Sequence, residues 1–71
     1  MHRAIVVQDY VAATDGDLQL AVGEIVHLLR AKPQKAWWKG SIMQDDAGFG
    51  RAERVGIFPA SYVRELADHI E

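Results

Sequence analysis

Apolar residues in this chain come in short packets, and polar residues alternate with them inside several of these. Ala4 to Val7, rich in β-branched side chains and followed by Gln8-Asp9-Tyr10, reads as a strand. Thr14-Asp15-Gly16-Asp17 is turn-forming. Leu18 and Leu20 then alternate with Asp17 and Gln19, the period-two pattern of a half-buried strand. A second turn falls at Val22-Gly23-Glu24, and Ile25 to Leu29, apolar except for His27, predicts the next strand. Lys32-Pro33-Gln34-Lys35 breaks it, because proline has no N–H to give a central ladder. Trp37 to Met43 and Val55 to Phe58 predict two more strands. Between them Gln44 to Arg54, with Asp45, Asp46, Gly48 and Gly50, reads as a long loop in which Phe49 folds back on the domain or stands singly exposed, a reading preferred to a second contact surface. Ala60-Ser61-Tyr62 suits one helical turn, and Val63 to Leu66 can close the sheet.

About five short strands with no convincing amphipathic helix predict an all-β fold, a small, partly open five-stranded barrel. Alternation assigns the core to Ala4, Val6, Leu18, Leu20, Val26, Leu28, Ile42, Phe58 and Val63. Gly40 falls on the inward parity of its strand, and Phe58 is expected to fill the space it leaves.

Composition narrows the function. The chain has 71 residues, enough for one domain, and 49% of them are hydrophobic, enough for a core. Having no cysteine excludes disulfides and cysteine-based zinc sites and suits a reducing compartment. Eight basic against ten acidic residues, a formal charge of -2, argues against nucleic-acid binding. The apolar runs fall far short of the roughly 20 residues of a membrane span. Met1-His2-Arg3 leads straight into a strand and reads as no signal peptide. His2, His27 and His69 are scattered without partners, Asp45-Asp46 lacks the spacing of a calcium loop, and the glycines form no phosphate-binding pattern. A non-enzyme without cofactor or metal is expected.

Four segments together carry a resemblance. Val6-Val7-Gln8-Asp9-Tyr10 resembles the opening Ala-Leu-Tyr-Asp-Tyr of the Src homology 3 family. Asp17-Leu18, Leu20 and Gly23-Glu24 resemble its acidic loop, diverging turn and Gly-Asp/Glu. Trp37-Trp38 matches its paired tryptophans, and Gly56-Ile57-Phe58-Pro59-Ala60-Ser61-Tyr62-Val63 its Gly-x-Φ-Pro-x-x-Tyr-Val ending, where Φ is apolar. The resemblance implies a domain over 4–66, with 1–3 as an overhang and 67–71 as a tail. It implies a non-catalytic, monomeric, cytoplasmic module that binds proline-rich segments and sits within a larger signalling, trafficking or cytoskeletal adaptor. Tyr10, Trp37, Pro59 and Tyr62 would line its groove, and Asp15 and Asp17 would meet a basic ligand residue.

The chemistry fits. A polyproline II segment has little backbone entropy to lose and presents ridges with unpartnered carbonyls. Rigid rings with a polar edge match it, and the Trp37 indole and Tyr62 hydroxyl can donate to those carbonyls. Adjacent strand residues face opposite ways, so Trp37 and Trp38 cannot share one core; Trp37 is expected outside and Trp38 in a structural role. Three departures from the family pattern also bear on the groove: Gln8 replaces a groove tyrosine, Ser61 a common asparagine, and Ala36 a frequent acidic residue. With Lys32 and Lys35 nearby, they imply weak binding of ordinary proline motifs or a preference for acidic flanks. The alternative is an atypical module for a non-proline or intramolecular partner.

Overall fold

The computed structural model describes residues 2–46 and 50–66. Five strands, β1 (His2–Val6), β2 (Ile25–Arg30), β3 (Trp37–Asp46), β4 (Gly50–Pro59) and β5 (Val63–Glu65), form one antiparallel sheet in the order β4-β3-β2-β1-β5. A 3-10 turn at Ala60–Tyr62 precedes β5. The outermost strands β4 and β5 do not pair, so the barrel stays open. No helix among the described residues is long and apolar enough to cross a membrane.

One face of the curled sheet supplies the core. Ala4, Val6, Val26, Leu28, Ile42 and Phe58 are buried with Leu18 and Leu20, and Val63 packs against them half-buried. Burying these side chains is the main stabilising term in so small a domain. Gly40 and Phe58 meet as the alternation implies: a Cβ at Gly40 would stand 3.1 Å from Phe58 Cε2 and 2.6 Å from Val26 Cγ1. The ring shares the room a side chain would need with Val26 and with His27 O, which would stand 2.9 Å from that Cβ.

Two sequence expectations change. Leu18 and Leu20 are buried, but their segment is not a strand; it touches the sheet through two isolated bridges, Asp17 with Ile57 and Tyr10 with Leu20. Alternation reported burial there, not a ladder. Gln44 to Arg54 is not a long loop either. β3 and β4 continue pairing through Met43 with Glu53, Gln44 with Ala52, Asp45 with Arg51 and Asp46 with Gly50. The ladder is made by backbone groups, so polar side chains do not forbid it beyond the core. Phe49 lies outside the described residues.

The segment between β1 and β2 is tied down at both ends. Its second turn closes with Glu24 N–H donating to Ala21 O at 3.1 Å, and Gly23 takes the positive φ of 96° that such a turn requires. Asp9 Oδ1 accepts from Val22 N–H at 2.9 Å. From β4, Arg54 donates to Gln19 O at 3.2 Å and to Glu24 Oε2 at 3.1 Å, holding the segment against the sheet.

Candidate functional site

The ends of four elements meet at one side of the barrel. Trp37 is the first residue of β3 and pairs in register with Pro59, the last of β4. Ala60 N–H donates to Ala36 O at 2.8 Å, which seats the 3-10 turn beside the start of β3 and brings Tyr62 to the same side. Val7 N–H donates to Tyr62 O at 2.9 Å, fixing this turn to the exit of β1, from which the chain runs to Tyr10. Tyr10 is held by reciprocal backbone bonds with Leu20 at 3.0 and 2.9 Å.

Three rings form a row as a result. Tyr10 stands between Trp37, centroid 6.1 Å away at 76°, and Tyr62, centroid 5.7 Å away at 86°. Both contacts are edge-to-face, a geometry favoured by the ring quadrupoles. Trp37 is 48% exposed, and Tyr10, Tyr62 and Pro59 are half-buried. The rings are therefore neither scattered nor swallowed by the core. Trp38 faces the other way, packs against the core and donates its Nε1–H to Lys32 O at 2.9 Å.

Asp17 organises the loop beneath this row. Its Oδ2 accepts from the Tyr10 hydroxyl at 2.6 Å, from Ala13 N–H at 3.1 Å and, more weakly, from Thr14 N–H at 3.4 Å. Its Oδ1 accepts from the Thr14 hydroxyl at 3.0 Å. These donors favour the ionised form, the Tyr10 hydroxyl most of all, and hold the Asp17 carboxyl below its usual range. Reciprocally, the bond to Asp17 pushes the Tyr10 phenol up to about 12, with burial adding to it.

The other sequence candidates are more open. Gln8, Asp15 and Ser61 are exposed, Gln8 following the residue tied to Tyr62 and Ser61 preceding Tyr62. Trp37 also lines a cleft with Trp38, Ile57, Arg30, Lys32, Lys35 and Lys39. Of these cations, Lys32 and Lys35 are legible as a basic loop, whereas Arg30 and Lys39 join them only through the β2–β3 register.

A family model described as a variant SH3 domain matches residues 3–66. The chain belongs to the SH3 family. SH3 domain-containing kinase-binding protein 1 of Homo sapiens is 39% identical over 66 residues, covering 93% of this chain and 8% of that protein. The class E vacuolar protein-sorting machinery protein HSE1 of Pyricularia oryzae is 33% identical over 66 residues, again 93% of this chain and 8% of that one. The chain thus spans only a small part of these relatives. Among solved structures, the C-terminal SH3 domain of myosin IB from Entamoeba histolytica, bound to an EhFP10(GEF) peptide, superposes with a TM-score of 0.75 at 29% identity, covering 97% of this chain and 88% of that one. Like its relatives in adaptor and signalling proteins, this SH3 domain is a protein-interaction module; binding proline-rich peptides is the family's role, and the module itself is non-catalytic.

Proposed function

We propose that this SH3 domain receives a proline-rich segment in the polyproline II form along the row Trp37, Tyr10 and Tyr62, with Pro59 in the groove wall. The single observation that carries this reading is the contact of Tyr10 with both Trp37 and Tyr62 at the protein surface. Prolines of the ligand pack between the rings, while the Trp37 indole N–H and the Tyr62 hydroxyl donate to its carbonyls. Gln8 and Ser61 border the Tyr62 end. Asp15, exposed on its turn, meets a cationic residue of the ligand. Asp17 acts through Tyr10 as a positioning residue, since its carboxylate is occupied by the loop's own donors.

The peptide seen on the myosin IB relative supports a peptide as the ligand class here. In a cell the domain acts as a monomeric cytoplasmic tether within a longer adaptor, raising the effective concentration of whatever its parent protein carries. A peptide array followed by isothermal titration tests the groove. Trp37→Ala is expected to weaken the selected peptide by roughly 2 kcal/mol, about 30-fold, with the fold intact. Undiminished binding by that variant would place the contact surface elsewhere.

A further inference from the structure

We propose that the cleft beside Trp37 makes this domain select proline-rich segments whose proline core is flanked by acidic residues. This rests on the groove reading above and adds the charge of the partner to it. The cleft, about 290 Å³, is lined by Arg30, Lys32, Lys35 and Lys39 together with Trp37, Trp38 and Ile57. Among the described residues no carboxylate lines it, although the chain as a whole carries a formal charge of -2. Half of the chain's eight lysines and arginines converge on this one hollow.

The convergence is built into the fold. Arg30 and Lys39 are partners in the β2–β3 register, and like charges directly opposite each other are destabilising in a sheet. Lys35 N–H donates to Lys32 O at 2.9 Å, closing the turn that brings both lysines round to the cleft. The Trp38 indole donates to that same carbonyl and pins the turn to the wall. Among the described residues, none of the four cations has a carboxylate partner. An incoming anion relieves the repulsion between Arg30 and Lys39.

Trp37 joins the two surfaces, since one side of its ring contacts Tyr10 and it also lines the cleft. A ligand whose prolines lie on the rings carries its flanking residues past Trp37 towards the cations. The turn bearing Asp15 and Asp17 meets β4 at Ile57, which also lines the cleft, but neither carboxylate is among its lining residues. Complementary charge of this kind sets partner choice more than it sets raw affinity.

Three synthetic peptides test the inference. They share the core Ala-Pro-Pro-Leu-Pro-Pro and carry at both ends either paired glutamates, paired serines or paired lysines. Isothermal titration at low salt is expected to rank the glutamate peptide roughly five- to tenfold tighter than the lysine peptide. The gap should shrink between about 0.01 M and 1 M salt, where the screening length falls from roughly 30 Å to 3 Å. Charge reversal by Lys32→Glu with Lys35→Glu, both at exposed positions, should remove or invert the ranking of the glutamate and lysine peptides. Equal affinities for the three peptides, or a preference for lysine flanks, would overturn the inference and leave the groove reading standing. Binding of none of them would remove both. Trp37→Ala separates the readings from the other direction, since it should weaken all three peptides.

Discussion

Gly56 puts the attachment of the loop carrying Tyr10 and Asp17 to a sharp test. It lies buried in β4 opposite Gly40, and a Cβ there would stand 2.8 Å from Gly16 O, 2.8 Å from Leu18 N and 2.9 Å from Asp17 C. All three are backbone atoms, so no side-chain rotation relieves the clash; the loop or the strand must move. Two hydrogen bonds hold the loop at this place, Leu18 N–H to Ile57 O at 2.7 Å and Ile57 N–H to Gly16 O at 3.0 Å. At about 0.5–1.5 kcal/mol each, losing both costs on the order of 1–3 kcal/mol. At roughly 4–8 °C per kcal/mol for a domain of this size, Gly56→Ala should lower the thermal midpoint by about 4–24 °C. Gly16→Ala is the matched control: a Cβ at Gly16 meets nothing within 4 Å, so the change should stay within about 0.5 kcal/mol. Thermal and urea unfolding followed by circular dichroism reads both variants, and hydrogen exchange at the Leu18 amide reads the loop directly. Equal midpoints for Gly56→Ala and the unaltered domain would refute the close approach, as would an equal fall in Gly16→Ala.

Three further outcomes follow from the packing and the titrating groups. Phe58→Val should leave a cavity beneath Gly40 and cost about 1–3 kcal/mol in urea unfolding; an unchanged midpoint would count against their pairing. The folded-state pKa of Asp17 is depressed, so its contribution is present above the ordinary value of 3.8 and is lost as pH falls through the lower folded value. Asp17→Asn should accordingly flatten the acid limb of the stability profile, and an unaltered limb would contradict the hydrogen-bond network. Tyr10 runs in the opposite sense: its folded pKa is raised from 10.0 to about 12, so the stabilisation is complete below pH 10 and disappears as pH climbs through 12. Ultraviolet titration, with Tyr10→Phe used to assign the signal, should show the Tyr10 phenolate returning towards 10 in Asp17→Asn; no displacement would show that the bond is not formed in solution.

The core was legible because each inward residue from Ala4 to Phe58 obeys a period of two, and because Trp37 and Trp38 cannot both obey it on one side. Parity also paired Gly40 with Phe58. Leu18 and Leu20 show the limit: periodicity records which side chains are buried, and a loop packed on a sheet by two bridges buries them as a strand does. The extension of β3 and β4 was hidden because backbone pairing beyond the core needs no apolar side chains. Of the site, the rings could be read from their motif, whereas the joining of Arg30 and Lys39 with Lys32 and Lys35 depends on strand register. The inward commitment of Asp17 depends on the path of the loop, which no local pattern in Ala13 to Asp17 specifies.

The bond from Tyr10 to Asp17 also decides which parts of a bound segment can be read by proton donors. With its phenolic hydrogen already given to the loop, the middle ring offers a docked chain its carbon face and a spare oxygen lone pair. A carbonyl lying over the centre finds no proton there, whereas carbonyls nearer the two outer rings do. On the proposed groove reading, donation to the ligand's carbonyls is thereby confined to the two ends of the row, and the middle ring can only accept.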